Sequence, residues 1–497
     1  PSSPTSVLAA LVLAPVLMAV GLLVAQPPTP TTASGKDHLV AFDALRAVFC
    51  VGTVGFHSLA FGNAVRSPLM SDDPAWRALV RNPLFFPLVM SGIQGVDFFF
   101  MLSAFFTTRS LLIRAIAAEQ RLSVVRVTLA RAMRLLPLLA VPFCASFVLS
   151  PWPDASFYAE GGGWNWRKIG GYLSFSGVYL RPNVMHWNVD LSLLPAWSHS
   201  LDLQATAILS WLVPSLYARY GLSTTPLWPL LALALATRAA IVLTDPGCLN
   251  VAQGLGSWHP LSTWLAATPQ ARAHLESLFG IRLVDGPLPS ARCPILASEF
   301  AELVPQKAYF PLWCRAAPFV IGAITAFRYT SATTTTEAAA QPPSSKRAVP
   351  TFALACIAPL ALLLSPLDPD ALPPPPVTLA MDVLGPAILS AALAHVALCA
   401  SVPPSHPLHA PKARWLMSRG CFTELATASA WIHSLHWPLL FHILLCLPPL
   451  PVSLKSGVLL TAATLVLAFP AALIAASLVD PAWKRASRML MRVTARA

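Results

Sequence analysis

The sequence predicts an all-α fold, a polytopic transmembrane helix bundle with about 11 spans. Three observations carry that reading. Of the 497 residues, 56% are hydrophobic and only 11% charged, against roughly a quarter charged in soluble domains. The apolar residues gather into long runs, near 6–25, 40–63, 86–113, 131–150, 195–218, 225–244, 308–329, 350–366, 377–400, 424–448 and 457–479, each about long enough to cross a bilayer. The net charge of +12 sits in the connections between runs and not along a stripe. That excludes a nucleic-acid partner and leaves membrane lipids as the immediate surroundings.

The run at 6–25 reads as a retained span, because no positive charge precedes it as in a signal peptide. With its connector it makes a first unit, 1–39. The main membrane domain then extends over 40–481, and 482–497 is a basic tail. Charge sets the orientation. The connection after the third span holds Arg109, Arg114, Arg121, Arg126, Arg131 and Arg134. Those after the seventh and ninth hold Arg328, Lys346 and Arg347, then Lys412, Arg414 and Arg419. The tail holds Lys484, Arg485, Arg488, Arg492 and Arg496. With eleven spans all four basic stretches share one side, so the N-terminus lies outside and the C-terminus inside, in cytosol or matrix. A chain beginning at Pro1 instead of Met suggests organellar processing, which favours a mitochondrial inner membrane slightly over the ER or plasma membrane.

Two long connections, about 151–194 and 245–307, fall outside. The first is rich in Trp, as an interfacial belt or a lid would be. The second holds Cys248 and Cys293, which pair if that space is oxidising. Cys50, Cys144, Cys356, Cys399 and Cys446 lie in apolar runs and read as small hydrophobes. The stretch 333–345 reads as a flexible linker. No CxxC or Cys/His zinc spacing is present, so no metal is expected.

The stretch 42–58, FDALRAVFCVGTVGFHS, organises the chain. A step of eleven positions leads from Arg46 to His57, which brings them within about 20° of one helix face and about 16 Å apart along it. Ionisable groups inside a membrane are costly and point to function. Other polar residues recur in the apolar runs: Asp97 beside an aromatic stretch, Arg134 at the mouth of the fourth span, and His199 with Asp202 three residues apart and able to touch. Arg315 opens the seventh span, and His433, His436 and His442 lie in the tenth. Haem ligation is not expected, since Arg-x10-His is not the spacing of paired haem ligands on two helices.

In this order the residues resemble the membrane-bound acyltransferase-3 family, especially its nose-resistant-to-fluoxetine-like branch. Asp43, Leu45 and Arg46 with His57 match its Asp-x-Leu-Arg and Arg-x10-His. Residues 95–106 resemble its Gly-Val-Asp-x-Phe-Phe-x-x-Ser-Gly-Phe run, with Ala104 in place of the second Gly. Arg131, Arg134 and Pro137 resemble Arg-x-x-Arg-x-x-Pro. Trp197, Asp202 and Gln204 resemble Trp-Tyr-Leu-x-x-Asp-x-Gln, and Arg315, Pro318 and Gly322 resemble Arg-x-x-Pro-Tyr-x-x-Gly. His436 matches the late His, without the tyrosines that precede it in the family, and Asp480-Pro481 stands for a final Glu-x-Pro.

The resemblance implies acyl transfer from acyl-CoA, as co-substrate, to a hydroxyl of a lipid, sugar or sterol-like acceptor. It implies His57 as general base and Arg46, also catalytic, near the inner mouth where the polyanionic coenzyme would dock, with a pre-placed cation near the thioester to stabilise the oxyanion. Asp97, Ser103, Arg134, Trp197, Asp202, Gln204, Arg315 and His436 would be substrate-binding. The altered tenth span leaves an alternative: a catalytically degenerate, lipid-binding or structural subunit of a larger membrane complex.

Overall fold

The computed structural model describes residues 39–64, 85–117, 123–149, 197–244, 312–335, 375–403, 406, 408–418, 420–446 and 454–494. Among them every regular element is a helix: α1 (Val40–Ala64), α2 (Phe85–Ile116), α3 (Val124–Leu149), α4 (Trp197–Tyr220), α5 (Leu227–Thr244), α6 (Leu312–Thr335), α7 (Pro375–Ser401), the short α8 (Pro411–Met417), α9 (Gly420–Cys446) and α10 (Leu454–Thr494). The expected runs at 6–25 and 350–366, both long outer connections, and Cys248 with Cys293 lie outside the described residues.

Among the described residues four stretches are long and apolar enough to cross a membrane: Val40–Ser58, Gly95–Ile116, Val383–Ser401 and Lys455–Met489. The other long helices are diluted by polar side chains. α3 carries Arg126, Arg131 and Arg134, α6 carries Arg315 and Arg328, and α9 carries His433, His436 and His442. At 41 residues α10 is about 60 Å long, twice a hydrocarbon core. It runs through Asp480 and Pro481 without a break, so most of the expected tail is the end of this helix. The expected linker at 333–345 likewise begins as the last turn of α6.

α1 and α2 form the middle of the bundle. α6, α4 and α7 gather on α2, while α9 and α10 pack on α1, and α3 fills the space between α4 and α9. Phenylalanines seven apart on each helix of the middle pair interlock: Phe42 stacks on Phe105 with centroids 4.1 Å apart, and Phe49 on Phe98 at 4.5 Å. Since the earlier ring of α1 meets the later ring of α2, the two helices are antiparallel. α6 runs parallel to α2, because Arg315 meets Asp97 and Tyr329 meets Phe105. α9 runs parallel to α1, with Ser429 beside Cys50 and His436 beside His57.

Small residues permit the closest approaches. A Cβ at Gly322 would run into the carbonyl oxygen of Met101, so α6 and α2 touch backbone to backbone there. One at Gly95 would stand 2.7 Å from Thr53 Oγ1 on α1. Both glycines belong to the motifs read in the sequence, and here their task is packing. Cys50 and Cys399 are buried like small hydrophobes, whereas Cys144 is exposed.

Candidate functional site

Two carboxylate–guanidinium contacts grow from α2. Asp97 faces α6, where its Oδ2 lies 2.6 Å from Arg315 Nη1. Both residues are almost wholly buried, at 1% and 3% exposure. The other oxygen, Asp97 Oδ1, has no hydrogen-bond partner among the described residues. Six residues later Ser103 points to another side of the helix and donates to Asp202 Oδ1 on α4. Arg131 on α3 closes the triangle: its Nε donates to Asp202 Oδ2 at 2.8 Å and its Nη2 to Ser103 Oγ at 2.8 Å. Three helices are thereby stitched at one point, at the edge of open space.

That space is a cavity of about 450 Å³ between α1, α2, α3, α4 and α9. Arg46, Arg131 and Arg134 border it, with Asp202 as the carboxylate among them. Arg46 is steadied by Asp43, 3.4 Å away, and lies over the Phe106 ring at 5.3 Å. Phe99, Phe100 and Leu135 supply apolar wall, and His199 and His433 border it as well. The cavity is thus cationic and partly greasy, suited to an anion carrying an apolar chain.

Behind His433 lies a second pair of imidazoles. His57 Nδ1 and His436 Nε2 are 2.6 Å apart with the rings nearly parallel, and Trp437 meets His57 edge-on at 4.3 Å. The geometry fixes the tautomers of the neutral pair. His436 Nδ1 lies 3.1 Å from the Ile432 carbonyl; a carbonyl only accepts, so this nitrogen carries the proton. His436 Nε2 must then accept, and His57 Nδ1 donates to it. His57 Nε2 is then the ring nitrogen that carries no proton. The His433 ring stands 5.7 Å from His436 and 6.3 Å from His199. Four imidazoles from α1, α4 and α9 therefore lead inward from the cavity.

The predicted site residues separate into groups. Arg46, Ser103, Arg134 and Asp202 border the cavity. His57 and His436 form the pair behind it, and are not among the cavity's bordering residues. Asp97 and Arg315 hold each other in the dry interface of α2 and α6. Gln204 lies on α4, half-buried and away from the cavity lining; Trp197 begins α4, and its side chain lies outside the described residues. His199 and Asp202, close enough in sequence to touch, look elsewhere: His199 Nε2 lies 3.4 Å from Ser434 Oγ, and Asp202 is held by Ser103 and Arg131.

Arg131, His199 and His433 stand out in the sequence, but residue order alone gives them no role in a site. Arg131 is the first Arg of the Arg-x-x-Arg pattern, and His433 lies one turn before His436, which is the signal that marks it. Among the described residues no cluster of His, Cys, Asp or Glu is arranged to hold a metal. Comparisons with family models, with characterised proteins and with solved structures return no match for this chain.

Proposed function

We propose that this membrane protein is an acyltransferase of the acyltransferase-3 type, moving an acyl group from acyl-CoA to a hydroxyl of a lipid, sugar or sterol-like acceptor. The observation that carries the reading is the cationic cavity, with Arg46 on its wall and an imidazole cluster at its deep end. The ordered motifs at 43–57, 95–106, 131–137, 197–204 and 315–322 support the family reading.

In the proposed step His57 Nε2 takes the proton of the acceptor hydroxyl while His436 holds the ring in the required tautomer. The freed oxygen attacks the thioester carbonyl. The tetrahedral intermediate then expels the thiolate of coenzyme A, which recovers the proton from the imidazolium. Arg46, Arg131 and Arg134, on the cavity wall, suit the phosphates of the coenzyme. The acceptor enters past His433, whose ring lies between the cavity and the His57–His436 pair.

The proposal includes eleven spans with the basic ends inside. The directions of the helices support it. In that numbering α1, α2, α6 and α9 are the second, third, seventh and tenth spans, and their pairings run antiparallel or parallel as the count requires. Arg126 and Lys484, both assigned to the inner side, line one cleft.

Purified protein given acyl-CoA and acceptor is expected to release coenzyme A, and His57→Ala to abolish that release. Equal turnover in the two would overturn the proposal. The second reading, a silent lipid-binding or structural subunit of a larger complex, is favoured by one feature: Asp97 and Arg315 are tied to each other and stand away from the cavity. It predicts other membrane subunits co-purifying in mild detergent, with no thioester loss.

A further inference from the structure

A second cavity, of about 980 Å³, opens between the first half of α3, one face of α9 and the last third of α10. Its cations come from distant parts of the chain: Arg126 and Arg134 on α3, and Lys484 with Arg488 one turn apart on α10. Among the described residues none of the four meets a carboxylate at ion-pair distance. The acid on the wall, Asp480, accepts the indole N–H of Trp431 at 3.3 Å.

The walls are braced by tryptophans. Trp483 Nε1 donates to the Met133 carbonyl and ties α10 to α3, while Trp431 ties α9 to α10. Both basic helices change character at the level of the cleft. Along α3, Arg126 and Arg134 give way to Leu135, Pro137 and Leu138. Along α10, exposed Leu478 gives way to Lys484, Arg485 and Arg488. The cleft therefore straddles a boundary between apolar and basic surface, with indoles at the junction, as side chains at a membrane–water interface do. A matching ligand carries a phosphate next to an apolar chain.

We infer that this cleft holds an anionic phospholipid, its phosphate between Lys484 and Arg488 on one side and Arg126 on the other, its chain along Leu138 and Pro137. The inference needs only that the helices span a membrane. It stands or falls apart from acyl transfer, and the following experiment never reads turnover.

The full chain is reconstituted in phosphatidylcholine nanodiscs containing a small fraction of phosphatidylglycerol, and the retained lipid is identified by native mass spectrometry. The wild type is expected to retain phosphatidylglycerol preferentially. Lys484→Gln with Arg488→Gln is expected to lower that retention about tenfold or more, and Arg485→Gln, on the same helix but off the cleft, to leave it unchanged. Arg126→Gln serves as a second, single-site variant, expected to lower retention where the double variant fails to fold. Undiminished retention in the cleft variants that fold would overturn the inference. So would displacement of the lipid by millimolar inorganic phosphate, which marks a simple anion pocket, or by free coenzyme A, which assigns the cleft to a nucleotide.

Discussion

Asp97–Arg315 and Asp202–Arg131 are the same chemistry in two settings, both leaning on α2. The first pair is sealed between α2 and α6. In the second, the side chains keep 27% exposure for Arg131 and 9% for Asp202, beside a cavity. A sealed pair stabilises chiefly because neither charge tolerates losing the other; a pair at a cavity wall has further donors in reach and free space in front of it. The difference teaches that an intramembrane charge is not by itself a functional site. What it faces decides.

The sharpest test removes one partner of the sealed pair. Asp97→Ala leaves the Arg315 guanidinium buried without its carboxylate and is expected to destabilise by about 3–5 kcal/mol, read as a large fall in thermal unfolding temperature in detergent. The double replacement Asp97→Leu with Arg315→Met should recover most of that loss. Failure to recover would give the sealed pair a role beyond packing.

Next in size, Asp202→Ala breaks the triangle with Ser103 and Arg131. The expected cost is about 1.5–3 kcal/mol, the range of charge-assisted hydrogen bonds, because cavity water reaches Arg131. Release of coenzyme A is expected to fall far more than stability, the reverse of the Asp97 result. Equal loss of stability in the two variants would erase the distinction between the regions.

Gly322→Ala tests the seam beside the sealed pair. Its Cβ meets backbone, which cannot swing away, so a loss of about 1–3 kcal/mol is expected. An unchanged unfolding temperature would mean that α6 slides easily along α2.

The smallest expected effect lies outside both pairs, in the turn joining α7 to α8. His406 Nδ1 accepts the Leu408 N–H at 3.2 Å, and burial lowers its pKa from the ordinary 6.5. A lowered imidazole pKa means that the unfolded chain binds the proton more readily. The contribution to stability is then complete above about pH 6.5 and lost as pH falls through the folded value. Mild acid should lower the protection of the Leu408 amide relative to its intrinsic exchange rate at the same pH, and His406→Ala should remove that pH dependence.

Much of this was legible in residue order. Helix positions followed from apolar run length, because a bilayer fixes how many residues a crossing needs, and expected and observed helices coincide within a few residues for most of the described spans. α3 starts seven residues early, α6 runs six residues past its expected end, and α10 departs most. Its basic end continued the helix where a tail was expected, because neither Asp480-Pro481 nor the charges that follow forced a break. Within the site, Arg46 and Asp202 could be named from their cost in a membrane. The partner that holds Asp202 could not. Arg131 resembled an ordinary inner-side cation until α4 brought Asp202 to it.

The sequence by itself determined a chain of apolar helices with a few costly charges and imidazoles, since hydropathy and charge are properties of residues taken one at a time. Tertiary structure alone decided which charges neutralise each other and which line a cavity. It also set His436 against His57, 379 positions apart in the chain. The physical reason is that pairing and desolvation depend on distances between helices, and linear order does not encode those distances.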